Sequence, residues 1–264
     1  MSDLRRTDFY LNKKEQEDWD KRNILYNTIW FYLNKQGKMP DIEYSDSAIK
    51  IYKNISYYQS WEITYHPYGG KNILPPNVDH FNADIMTGWF NPFKHLVGLN
   101  SRKEINIDFL NEIPSEKNSN LIEWFKKKNS KINKICIKSF LRFLGLIYTA
   151  GNIIPAPINW KSGSSLDSWD YKFKIIVSNN NNAQGLIWKD YINNSYIGND
   201  FKEKANHFIV ANHLEMYIDN DKIISFWDPE QIINYHNISP SQWTIYFKTV
   251  SKCIEERTQK ITQK

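Results

Sequence analysis

The stretch KICIKSFLRFLGLIYTAGNIIPAPINW, residues 134–160, decides the fold. Ile135, Cys136, Ile137, Phe140, Leu141, Phe143, Leu144, Leu146 and Ile147 cover most of a helical circumference. Only Lys131, Lys134, Lys138, Arg142 and Gly145 fall into a narrow polar stripe. A helix apolar on nearly every side is one that other elements surround. Charges interrupt the run, and it is shorter than the roughly 20 apolar residues of a bilayer span, so it reads as a core helix with no membrane contact. Gly151 and Asn152 both tolerate positive φ and read as a left-handed helix stop. Pro155 and Pro157 then hold Ile154 and Ala156 extended, which predicts a stiff arm over residues 153–160. Such an arm either packs structurally or lines a cleft, and packing is the first reading.

Outward from this stretch, the apolar spacing predicts a helix over residues 13–36, ended by Gly37 and Pro40. Alternation over 49–55 and 61–65 predicts strands, followed by a loop rich in proline and glycine. Residues 81–97 form an aromatic-rich segment broken near Pro92, and 121–128 a short amphipathic helix. Further helices are expected over 163–176, over 184–192 with Leu186, Ile187 and Tyr191 inward, and over 200–213 behind an Asn199 cap. A turn at Asp219-Asn220-Asp221 precedes an extended segment. Ser239-Pro240-Ser241-Gln242 supplies a cap, a first-position proline and a capping-box glutamine for the last helix. Trp243, Tyr246, Phe247, Val250 and Ile254 recur on its buried face, and the tail after Thr258 is expected to fray.

The fold class expected is α-rich α+β: one compact helical domain over residues 1–264, with a few short strands or extended segments in the N-terminal third. A soft subdivision separates a mixed part, 1–115, from a helical part, 116–264. The 264 residues, 41% hydrophobic and 15% aromatic, suit a globular chain whose large rings supply much of the core. Two cysteines, Cys136 and Cys253, sit among apolar neighbours, so a disulfide framework is not needed and a reduced cytoplasmic setting is expected. The first residues carry no apolar signal core. Heavy use of Asn, Lys, Ile and Tyr points to an AT-rich genome.

Net charge is +5, with much of the excess between Lys117 and Arg142. Lys126, Lys127, Lys128, Lys131, Lys134 and Lys138 read either as a phosphate-facing ridge or as a solvated helix face. No glycine-rich phosphate loop, nucleophile elbow or paired-cysteine zinc motif occurs. His66, Asp79, His80 and Asp84 flank the proline–glycine loop and are candidates for a divalent-ion site, although irregular spacing favours surface or capping roles. Asp167 and Asp170 lie three apart and are candidate acid–base carboxylates, with helix capping as the competing reading. Glu215 is a further candidate carboxylate, and His207 completes the catalytic candidates. A pocket beside Gly151 and Asn152, with Arg142 and Trp169, is a third possibility, for a small anion. No cofactor is expected, and no metal ligand set is assigned.

Thr149-Ala150-Gly151-Asn152-Ile153-Ile154-Pro155-Ala156-Pro157 and Asp167-Ser168-Trp169-Asp170-Tyr171-Lys172-Phe173 resemble two motifs of an uncharacterised family of bacterial proteins. That family, mostly from low-GC Gram-positive organisms, carries a pattern near T-I-G-N-F-I-P-x-P and a later D-Y-W-D-L-T-L-like helix start. Ala83–Thr87 and Asn212–Tyr217 are weaker echoes. An arginine common between the two main motifs is replaced near Trp160-Lys161-Ser162. The resemblance implies no activity.

The leading expectation is therefore a cytoplasmic macromolecule-binding protein, an accessory, immunity-like or anti-invader component of a bacterial or phage conflict system. A protein partner is expected first, and nucleic acid through the basic stretch 126–142. The alternative is a metal-dependent hydrolase or nuclease acting on nucleic acid, and whether the chain is an enzyme stays open.

Overall fold

The computed structural model describes residues 29, 62–65, 71–74, 81–114, 118–147, 149–157, 183–219, 222–223 and 238–262. In chain order the first elements are strands β1 (Glu62–Tyr65), β2 (Lys71–Leu74) and β3 (Phe81–Ile85). Helices α1 (Phe90–Leu96), α2 (Ile107–Asn111), α3 (Asn118–Lys128) and α4 (Lys134–Leu146) follow. Then come strand β4 (Ile153–Pro157), helices α5 (Ala183–Ser195) and α6 (Phe201–Ala211), the two-residue strands β5 (Ile218–Asp219) and β6 (Lys222–Ile223), and helix α7 (Pro240–Thr262). The class is α-rich α+β, as the periodicities imply.

Helix α4 starts where Asn133 accepts a hydrogen bond from the Cys136 amide at 2.8 Å. Its face Cys136, Ile137, Phe140, Phe143, Leu144 is fully buried. The partner is α7, whose capping box forms as expected: the Ser239 amide donates to Gln242 and the Gln242 amide to Ser239 Oγ. Phe140 and Phe247 have ring centroids 5.2 Å apart, and Phe143 stacks on Phe247 at 5.4 Å. Contacts advance together along both chains, from Phe140 against Phe247 to Gly151 against Ile254. The two helices therefore run in the same direction. Phe93 of α1 and Phe125 of α3 close the cluster, each within 6.4 Å of Phe140.

Strands β1 to β4 form one antiparallel sheet in sequence order, with Asp84 opposite Ile154. The proline-bearing arm is thus a strand, β4, at the end of the sheet. The Asn152 carbonyl accepts from Met86 on the β3 side, whereas the Ile153 carbonyl accepts from Arg257 on the other. Alternation along the strand then puts Pro155 and Pro157 on the outer side, where no ladder N–H is required.

The join between α4 and β4 holds the layers together. Asn152 is fully buried; its Oδ1 accepts from the Thr87 amide at 3.0 Å and its Nδ2 donates to the Thr87 and Ile147 carbonyls. Arg257, also fully buried, donates through Nε to the Asn212 carbonyl and through Nη1 to the Gly151 and Ile153 carbonyls. One guanidinium thereby ties α7 to the end of α6, to the turn and to the sheet.

Several expectations need correction. The helix stop is not left-handed: residues 150–152 form a 3-10 turn, and among the described residues only Gly98 and His213 have positive φ. Gly151 is demanded by space instead, since a Cβ there would lie 1.9 Å from the Ile254 carbonyl oxygen. Lys71–Leu74, expected as loop, pairs antiparallel with β1, Ile73 opposite Ile63. Pro92 does not break the aromatic segment, because it falls in the first turn of α1, where its missing N–H has no helical acceptor. Ile135 and Leu186 are exposed; in α5, Trp188, Tyr191 and Ile192 face inward. Asp200, not Asn199, caps α6. The C-terminal tail stays helical through Thr262, since Ile261 is buried. The helices expected over 13–36 and 163–176 and the strand over 49–55 lie outside the described residues, apart from the buried helical Ile29.

Replacing Arg257 by Met should strip donors from three buried carbonyls and destabilise the protein by about 3 kcal/mol or more. Gly151→Ala should cost at least about 3 kcal/mol, because backbone must move to admit the methyl group. Urea midpoints check both; values within about 0.5 kcal/mol of wild type would contradict the role given to this joint.

Candidate functional site

Lysines of the basic stretch are exposed on two consecutive helices and the loop between them. Lys126 and Lys127 lie on the last turn of α3, Lys131 in the loop to α4, and Lys134 and Lys138 on α4 itself. All five are exposed, and no carboxylate of the described residues pairs with any of them. Lys134, Lys138 and Arg142 recur at four-residue spacing and so rise along one face of α4 in steps of roughly 6 Å. Arg142 is engaged differently. It makes a two-point contact to Glu255 of α7, at 3.1 and 2.6 Å, and so braces the two helices.

Beside Lys131 opens a cleft of about 480 Å³, within the size range of small-ligand pockets. One wall is the last turn of α1, with Lys94 and His95; another is the end of α3 and its loop, with Lys128, Asn129 and Lys131; Pro240 and Trp243 of α7 close it. Gly98 turns the chain out of α1 at φ +72°, and the amides of Gly98 and Leu99 return to the His95 and Lys94 carbonyls. This helix end is what places Lys94 at the rim. Lys128 is anchored from behind. Its ammonium meets the Glu112 carboxylate and lies 5.0 Å from the Phe109 ring centroid and 5.9 Å from that of Trp124. The same contact holds the exposed Glu112 carboxyl below the ordinary glutamate range.

The other candidates are distributed as follows. His66, Asp79, His80, Asp167, Asp170 and Trp169 lie outside the described residues. Asp84 stands on β3 opposite Ile154, and His207 is exposed on α6. Glu215 lies 3.6 Å from Lys260. Gly151 and Asn152 sit inside the joint, with the Gly151 amide donating to Thr258 Oγ1. Among the described residues no group of three or more His, Cys, Asp or Glu is placed to hold a metal ion, and no helix is long and apolar enough to cross a membrane.

Two features escaped the sequence reading. Arg257 continues the buried series Val250, Ile254, Ile261 of α7, so a charge at an apolar stripe position was the available signal. The cleft gathers Lys94, Lys131 and Pro240 from distant segments and left no local pattern. Comparison with known protein families, with curated proteins and with solved structures finds no match to the chain.

Cys136 and Cys253 are buried, and burial pushes their thiols up to about 11 and about 12. Cys253 also donates to the Met216 carbonyl at 3.4 Å. Both thiols should resist a disulfide reagent at pH 8 until the protein is unfolded. Above pH of about 8.5 the unfolded chain releases both thiol protons while the native protein keeps them, so stability should fall as pH rises toward 11. Rapid native-state labelling of either thiol would contradict their burial.

Proposed function

We propose that the protein binds a macromolecule through the lysine surface of α3 and α4, and that the partner is nucleic acid. The observation that carries this reading is the set Lys126, Lys127, Lys131, Lys134 and Lys138, exposed together with no carboxylate partner among the described residues. Like charges adjacent on α3 and four residues apart on α4 repel one another, and a phosphate backbone relieves that repulsion while releasing its own counterions. An exposed lysine face made only for solubility would ordinarily be interspersed with acidic residues. Here Glu123 is the one acidic residue within α3, and α4 has none. Hydrolysis is not part of the proposal. His66, His80, Asp167 and Asp170 lie outside the described residues, and exposed His207 alone supplies no reaction centre.

A labelled oligonucleotide followed by fluorescence anisotropy tests the reading across a salt series. Binding at about 50 mM salt should weaken steeply by about 200 mM. The combined variant Lys127→Gln, Lys134→Gln, Lys138→Gln should lower the salt slope by about 2 to 3 and the affinity by more than about tenfold. No binding at low salt, or an unchanged slope in a variant that keeps its helical circular dichroism, would refute it. An acidic protein partner is the other occupant this charge admits, and capture of such a partner with no oligonucleotide binding would replace nucleic acid with protein.

A further inference from the structure

The cleft beside the lysine surface has a chemistry of its own. We propose that it receives a phosphate monoester of nucleotide size, either a free nucleotide or the 5′ end of a strand; only the strand arm rests on the nucleic-acid reading above. Lys94 and Lys131 both line the cleft, one from α1 and the other from the α3–α4 loop, and no carboxylate of the described residues pairs with either. Lys94 is half-buried, with its ammonium 5.9 Å from the Phe90 ring centroid, so water shields it less than it does the lysines of the open face. Lys94 is half-buried and Lys131 exposed, and two such cations without a carboxylate partner among the described residues suit a dianion better than a monoanion.

Two acids near the cleft among the described residues have partners of their own. Glu112 pairs with Lys128, and Glu104 accepts from the Asn100 and Ser101 amides at 2.8 and 2.6 Å. Neither makes an ion pair with Lys94 or Lys131. The first turn of α7 closes the same cleft, and the positive end of that 23-residue helix adds to the field felt by an anion there. The remaining surface is suited to something larger than phosphate. Leu99, Ile132 and Ile238 supply apolar lining, and about 480 Å³ is more than a bare phosphate fills and falls in the range of pockets that hold ligands of nucleotide size.

Calorimetric titration with AMP and with adenosine, and anisotropy with a 5′-phosphorylated and a 5′-hydroxyl oligonucleotide, test the proposal on the full chain. AMP should bind at least about tenfold more tightly than adenosine, the value of one or two charge-assisted hydrogen bonds. Lys94→Gln should abolish that difference, whereas Lys202→Gln, on the exposed face of α6, should not. A preference for the 5′-phosphorylated strand that Lys94→Gln removes identifies the strand end as the source. AMP binding with equal affinity for both strands identifies the free nucleotide. If neither strand binds but AMP does, the cleft stands and the lysine-surface reading falls. If both strands bind alike and AMP binds no better than adenosine, the cleft proposal is overturned while the lysine surface survives. Retained AMP selectivity in a folded Lys94→Gln protein also overturns it.

Discussion

A single buried guanidinium decides how the layers of this protein meet. Arg257 spends its donors on carbonyls from three separate segments: Asn212 after α6, Gly151 in the turn, and Ile153 at the start of β4. Those carbonyls cannot be satisfied by their own secondary structure, because each lies at the end or outer edge of an element. A rigid planar donor can reach several at once from one side chain, which an ammonium on a flexible stem does less well. Burial of such a charge is costly, and the geometry of the joint offsets that cost only while all three segments stay together. Asn152 performs the corresponding task on the opposite side of the turn, clamping Thr87 by both its amide and its carbonyl.

The basic surface inherits its position from this joint. Helix α7 runs from the joint at Arg257 to the cleft at Pro240, a span of about 26 Å at helical rise. Ring contacts of Phe140 and Phe143 with Phe247, and of Phe143 with Tyr246, set the roll of α4 against α7. With one face of α4 locked inward, the stripe Lys134, Lys138 and Arg142 is forced outward. Arg142 then closes on Glu255 and the two lysines are left to solvent. Packing and charge display are consequences of the same helix roll.

The motif that suggested a family, the Gly151–Pro157 stretch, has a structural task in this protein. Gly151 permits the close approach of α7, Asn152 clamps β3, and the prolines occupy the side of β4 that carries no ladder bond. Each residue type meets a backbone requirement. The lysines are the reverse case, since no packing demand explains an exposed series that has no carboxylate partner among the described residues.

The sequence by itself determined the helices with strong periodicity, because apolar spacing and caps act within a few residues of one another. The helices around 134–146 and 121–128 and the Ser239–Gln242 cap of α7 were legible for that reason, as was the extended character of 153–157. The inward turn of Trp188 instead of Leu186, the burial of Ile261 and the close approach at Gly151 were not. They depend on which neighbour arrives from elsewhere in the chain, and local pattern carries no information about that neighbour. The same distinction divides the basic surface from the cleft. Lysine spacing marked the open face in advance, whereas the cleft exists only where α1, the α3–α4 loop and α7 converge, and only tertiary structure brings Lys94 to Lys131.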